Sequence, residues 1–268
     1  MEHHERRKQL LKLLEHHQHA SVDQMVAWLE VSPATVRRDI HWLAERRLLA
    51  RTRGGMARLA SRQQASLVSQ SFHGSLDQNA RAKRAIARHA ASLCQDGDTI
   101  IINGGTTTFM MAEFLATRQL KVITNSFAMA ERLLSTSDNE VILPGGTVYR
   151  EQNVILSPFA RDVHEHHYAS KMFMSVYGLS MLGLMEADPV LIEAEKTLIE
   201  QAEQIIVLAD SSKLERRAGL ILCGLNRVHM VITDTLAGPG ALRALEGAGV
   251  RVMAVEPDTT PLRPARAY

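Results

Sequence analysis

The chain has 268 residues, 46% of them hydrophobic, and a formal charge of +2 at neutral pH, enough apolar material for one large domain or for a large and a small one. Its two cysteines, Cys94 and Cys223, lie far apart in apolar surroundings, which excludes a disulfide framework and fits the cytoplasm. Charges interrupt the start "MEHHERRKQLLKLL", and no uncharged run, Met172 to Met185 included, exceeds 14 residues, so neither a secretory signal nor a membrane span is expected. Residues 1–60 hold 11 Lys/Arg against 7 Asp/Glu and the remainder 20 against 22, an asymmetry that suits a small module meeting an anion and a larger one facing the cytosol.

The first segment, "RRKQLLKLLEHH", places Leu10, Leu13 and Leu14 at helical spacing, and "SVDQMVAWLE" does the same with Val22, Met25, Val26 and Leu29. Only "VS" separates this second helix from a third, in which Ser32 is the N-cap, Pro33 takes the first helical position and Val36, Ile40 and Leu43 return on one face. With Val36 at zero on a helical wheel, Arg37 falls at about 100°, His41 at about 140° and Arg38 at about 200°, so the basic side chains point away from the core. Three helices with a tight turn before the last make a helix-turn-helix. The following "LLARTRGGMARL", two short runs about Gly54 and Gly55, suits a β-hairpin wing.

With the N-terminal turn of the third helix toward a major groove, Ser32, Thr35, Arg37, Arg38 and His41 are candidates for bases and phosphates, and Arg51 and Arg53 on the wing for the backbone. Taken alone, the arginines are what any solvated helix face carries. The cap, the core period, the short turn and the basic wing together point to double-stranded DNA. "VSPATVRRDIHWL" followed by "RTRGGMA" resembles the helix-turn-helix and wing of the DeoR family of bacterial sugar-metabolism regulators. The family usually has His where Arg53 stands here.

Residues 59–78 are Ser/Gln-rich without sustained periodicity. They are expected to link a DNA-binding domain over 1–58 to a second domain over 79–256, with a tail over 257–268. From Asn79 the chain alternates helix "ARAKRAIARHAASLC", strand "TIIIN", helix "FMMAEFLA", strand "KVITN", helix "FAMAERLL" and strand "EVILPGG". The strands "KMFMSV", "QIIVLA", "HMVIT" and "VRVMAV" follow, with helical "IEAEKTLIEQA" and "GALRALEGA" among them. This alternation predicts an α/β fold with a doubly wound, mainly parallel sheet.

Ligands of such sheets gather beyond the C-terminal ends of the strands. "NGGTTT" offers Asn103, Gly105, Thr106 and Thr107 at a helix start, where backbone N–H groups and hydroxyls suit a phosphate. "TNS" adds Asn125, "PGG" adds Gly146, and "ADSSK" adds Asp210 and Lys213. Each loop alone is also ordinary turn chemistry.

These loops, with "ITD" at Ile232–Asp234, fall in the order of the DeoR-family C-terminal domain, which is similar to the sugar-phosphate isomerase and CoA-transferase fold. The resemblance implies a repressor of a carbohydrate-utilisation operon that responds to a phosphorylated sugar or sugar-acid effector. It implies no cofactor. Asn103 stands where the family usually has Asp, exchanging a carboxylate for an amide that both donates and accepts. With "ILSP" and "DSSKLERRAG", the chain looks most similar to the L-ascorbate-utilisation repressor branch.

A second reading is a sugar-phosphate isomerase with a basic appendage, using Asp210, Lys213, Glu195 and Lys196 for acid–base work. The histidines of 16–19 and 164–167 lack the i, i+4 spacing of a helical zinc site, so no metal is expected. Paired operator half-sites imply a homo-oligomer, dimer or tetramer.

Overall fold

The computed structural model describes residues 6–7, 9–10, 19–29, 31–45, 49–52, 55–57, 72–157 and 167–259. The chain divides into two compact units, residues 1–68 and 69–268.

In the first unit, α1 (Val22–Leu29) and α2 (Pro33–Glu45) are joined by a short turn. Ser21 and Gln24 cap α1 reciprocally: the Gln24 N–H donates to Ser21 Oγ and the Ser21 N–H to Gln24 Oε1. Met25, Val36, Ile40 and Leu43 are all at or near zero exposure and share one core with Leu10 and Leu49. The wing is a three-stranded antiparallel sheet in which β3 (Gly55–Ala57) lies between β1 (His19–Ser21) and β2 (Ala50–Thr52). Strand β1 has no forecast in the sequence, because three residues are too few to carry an alternating pattern. A Cβ on Gly55 would meet the Ala20 carbonyl oxygen at 2.1 Å, so this strand pair requires glycine there.

The second unit opens with a short helix, α3 (Phe72–Leu76), inside the stretch expected as linker. Its Phe72 is buried and meets the Phe109 ring edge-on at 5.5 Å. Helix α4 (Ala80–Ser92) then leads into β4 (Thr99–Ile102), two short helices, α5 (Thr106–Phe109) and α6 (Ala112–Leu115), and β5 (Lys121–Thr124). Next come α7 (Phe127–Thr136), β6 (Glu140–Ile142) and a hairpin of β7 (Thr147–Tyr149) with β8 (Val154–Leu156). The chain continues through β9 (Ala169–Ser175), β10 (Gly178–Ser180), β11 (Gly183–Glu186) and α8 (Pro189–Glu200). It closes with β12 (Ala202–Leu208), β13 (Leu220–Cys223), β14 (Met230–Asp234), α9 (Pro239–Gly247) and β15 (Arg251–Val255).

Seven of these strands form one sheet in the order β15-β14-β12-β9-β4-β5-β6, every neighbouring pair parallel. Buried residues pack both faces, Ile101, Met172 and Val207 on one and Ile100, Phe173 and Ile206 on the other. From β4 the chain runs outward to β5 and β6, then returns to the other side of β4 as β9. The reversal makes a switch point between β4 and β9, where the loops that follow the two strands diverge and leave a crevice.

Candidate functional site

The α2 helix presents its expected cap. Ser32 Oγ accepts the Thr35 N–H at 3.2 Å and lies 2.9 Å from Thr35 Oγ1, and the Val36 N–H reaches the Ser32 carbonyl. Arg37, Arg38 and His41 are exposed on the side away from the Val36–Ile40–Leu43 stripe, and at the start of the helix Ser32 is exposed and Thr35 half-buried. The side chain of Arg51 and all of Arg53 lie outside the described residues. A feature that spacing did not reveal is Asp39, 1% exposed on the same helix. Its carboxylate accepts from Arg6 Nε at 2.5 Å and Arg7 Nε at 2.8 Å, and the Arg7 guanidinium lies over the Trp42 ring. Burial pushes the Asp39 carboxyl up, but the two guanidinium groups outweigh it and hold it below its ordinary value.

In the second unit a cleft opens at the β4/β9 switch point, lined by Asn103, Gly105, Thr106, Thr107 and Lys213 among the expected residues. The N–H groups of Gly105, Thr106 and Thr107 have no hydrogen-bond partner among the described residues, whereas Gly104 N–H is taken by Asn125 Oδ1 and Thr108 N–H by Ser175 Oγ. Ser175 packs so closely that a Cβ on Gly105 would meet its Cβ at 2.3 Å. Opposite this loop, Lys213 and Arg216 flank the Tyr177 ring, with Arg216 Cζ 3.9 Å from its centroid. Burial, then Arg216, depress the Lys213 ammonium, while Asp210 and Glu186 support it.

Asn103 reaches the cleft with both ends of its amide engaged. Its Oδ1 accepts the Ser175 N–H at 2.8 Å, and its Nδ2 donates to the Ser175 carbonyl at 3.0 Å and to Glu195 Oε2 at 2.9 Å. The Ser175 backbone thereby fixes which end of the amide faces Glu195, and it is the donor. Glu195, 3% exposed, has Asn125 Nδ2 at 3.5 Å from its other oxygen and forms no ion pair among the described residues. Burial dominates and pushes its carboxyl up to about 7, aided by the neighbouring Glu186 charge and opposed by the two amides.

Three expected residues do not line the cleft. Asn125 stands behind it, bridging Gly104 and Glu195. Gly146 sits against the hairpin, where a Cβ would meet the Leu156 carbonyl oxygen at 2.1 Å. Asp210 caps its own turn and holds Asn79. Conversely, Glu186, Glu195, Tyr177 and Arg216 line it without having been expected to bind an effector. Their signal was weak because none sits in a Gly/Thr/Asn strand-end loop. Of the acid–base candidates, Lys196 instead pairs on the surface with Glu193. His164 and His166 lie outside the described residues, and no described helix is long and apolar enough to cross a membrane.

The chain matches the DeoR-like helix-turn-helix domain over residues 6–62 and the DeoR C terminal sensor domain over residues 78–235. It is 32% identical to the HTH-type transcriptional regulator UlaR of Shigella sonnei (strain Ss046), across 94% of this chain and 98% of that protein. The UlaR protein of Escherichia coli O127:H6 gives the same identity and coverage. Among solved structures, ribose 5-phosphate isomerase A from Methanocaldococcus jannaschii aligns over 51% of this chain and 55% of its own, at 17% identity and a TM-score of 0.38.

Proposed function

Because the chain belongs to the DeoR family of transcriptional regulators, and is a DNA-binding regulator rather than an enzyme, we propose that it represses a carbohydrate-utilisation operon and responds to a phosphorylated sugar or sugar acid. The observation that carries this reading is the polarity of the cleft. One wall offers three N–H groups, at Gly105–Thr107, that have no partner among the described residues, with the Lys213 and Arg216 cations, and another offers the half-buried carboxyl of Glu186 and the buried one of Glu195. An anion suits the first wall and sugar hydroxyls the second.

Ser32, Thr35, Arg37, Arg38 and His41 meet operator DNA, with Arg51 and Arg53 on its backbone. Gly105, Thr106, Thr107 and Lys213 hold the anion. Asn103 and Asn125 act one step back, by holding Glu195, and Asp210 acts by shaping the turn that carries Lys213. Gly146 serves the hairpin. The effector domain begins ahead of Phe72, and the protein works as a homo-oligomer on paired half-sites.

The test is a gel shift on the promoter next to the gene, with and without L-ascorbate 6-phosphate, 6-phosphogluconate and glucose 6-phosphate, beside calorimetry of the same compounds. A promoter-specific shift altered by one of them is expected. Catalytic turnover of any, or no preference for the promoter over random DNA, overturns the reading.

A further inference from the structure

Lys83, a lysine with 2% exposure, lies near the start of the second unit and is not among the residues that line the cleft. Its Nζ donates to the Ser75 carbonyl at 2.5 Å. Burial depresses the ammonium to about 8, Asp210 and Asp77 support it, and Lys213 opposes it. Lys83 and Lys213 therefore share the field of one carboxylate.

That carboxylate is incompletely satisfied. Asp210 is 1% exposed, and its Oδ1 accepts from Asn79 Nδ2, the Ser212 N–H and Ser212 Oγ. Its Oδ2 is buried without a hydrogen-bond partner among the described residues. A buried carboxyl oxygen in that state is an acceptor waiting for a donor.

Ser75, which Lys83 holds, belongs to α3. Phe72 and Ser75 line the cleft, so α3 is one of its walls. The helix is fixed elsewhere by the Phe72 N–H on the Glu151 carbonyl at 2.9 Å and by the Phe72–Phe109 ring contact. It is also the first described element after residues 58–71, through which the chain reaches it from the DNA-binding unit.

We propose that Lys83 is the positioning residue that couples occupancy of the cleft to the DNA-binding unit, by pinning α3 through Ser75 when the cleft is empty and moving to Asp210 Oδ2 when an anion fills it. An anion beside Lys213 neutralises the cation that opposes Lys83 and competes with it for Asp210. The Lys83 ammonium then gains more from the carboxylate than from the neutral Ser75 carbonyl, and α3 is released to shift the chain that leads into residues 58–71. Two alternative partners for one ammonium make a two-state element, which is what coupling between separate sites requires.

The proposal rests on the cleft being the effector site. Its test is the Lys83→Met variant, which keeps the packing volume and removes the donor, assayed as full-length protein for operator affinity with and without L-ascorbate 6-phosphate, with inorganic phosphate as control. Without effector, the variant is expected to show operator affinity within about twofold of the effector-saturated parent, and added effector to change it by less than about twofold. Its calorimetric affinity for the effector should be retained. Phe109→Leu, which loosens α3 from its other side, should move operator affinity part of the way in the same direction, so the proposal is testable even if Lys83→Met fails to fold. Variants that keep the parent's effector-free affinity and full response overturn it, as does a loss of effector affinity with the response ratio unchanged. A parent that binds operator yet ignores every anion overturns the reading of the cleft itself, a result distinguishable from failure of the coupling.

Discussion

The α2 helix and the cleft between β4 and β9 each bury one carboxylate, and they treat it in opposite ways. Asp39 is held by two guanidinium groups, with Arg6 and Arg7 at 2.5 and 2.8 Å. Glu195 has only the amide of Asn103 at 2.9 Å and that of Asn125 at 3.5 Å. The first carboxyl is driven below its ordinary value and the second up to about 7. The DNA-binding unit therefore spends two N-terminal arginines on architecture, leaving Arg37 and Arg38 exposed, whereas the cleft keeps its cations apart from its most buried acid. Paired charge fixes a helix, and a buried acid with no cationic partner among the described residues stays sensitive to pH.

The largest effect should follow from breaking the paired side. Asp39→Ala removes the carboxylate that holds the Arg6 and Arg7 guanidinium groups, and a loss of about 3–5 kcal/mol from the first unit is expected. Circular dichroism melts should resolve an earlier transition in the variant; coincident melting of parent and variant would mean the ion pairs are idle. Next in size, Arg38→Ala should weaken operator binding by about 1–3 kcal/mol and random DNA by less. Equal losses on both sequences would reduce Arg38 to a phosphate contact.

The two carboxylates also give opposite pH dependence. Glu195 has a raised folded value, so its contribution to stability is full below 4.5 and is lost as pH rises through about 7. Glu195→Gln should abolish that loss, making the variant more stable than the parent at pH 8 by on the order of 1–3 kcal/mol and little different at pH 4. Asp39 has a depressed value, so its contribution is present above 3.8 and disappears as pH falls through the folded value. Urea titrations at pH 2, 3, 4, 6 and 8 check both signs, the lowest two for Asp39 and the highest two for Glu195, and parallel curves for parent and Glu195→Gln would contradict the state of that acid, which has no cationic partner among the described residues. The smallest effect is expected at Thr107, whose hydroxyl lines the cleft without a partner among the described residues. Thr107→Val should cost about 1 kcal/mol of effector affinity, roughly fivefold, and leave operator binding unchanged. Calorimetry showing equal affinity would move the anion away from this loop.

Local features were legible in the sequence. The Ser32 cap, Pro33 and the Val36–Ile40–Leu43 stripe lie within 12 residues, and the structure has each where the helical period puts it. The βα alternation was equally readable because each strand is a short apolar run of its own. What escaped were partnerships across long separations. Asn103 meets Ser175 across 72 residues and Glu195 across 92, and Asn79 meets Asp210 across 131. Nothing in the spacing of one strand-end loop says which residue of another will face it. Asn103 could be assigned to the cleft from its loop, but only the register of β4 beside β9 shows that its amide is fixed by a backbone and turned toward an acid. The α3 helix was hidden for a different reason, since five residues with one aromatic anchor make no period.

The order of elements along the chain also sets a timetable for synthesis. The described core of the first unit comes from residues 10–56, so these parts have been made before any strand of the seven-stranded sheet exists. The cleft is lined by Asn103 from the loop after β4, Ser175 from β9, Glu195 from α8 and Lys213 beyond β12, and β12 is not covered on its outer side until β14 has emerged. At ribosomal speeds of about 5–20 residues per second, the interval from Ala57 to Asp234 is roughly 10–35 s. During that interval the nascent protein holds the material for gripping DNA and lacks the material for sensing a metabolite.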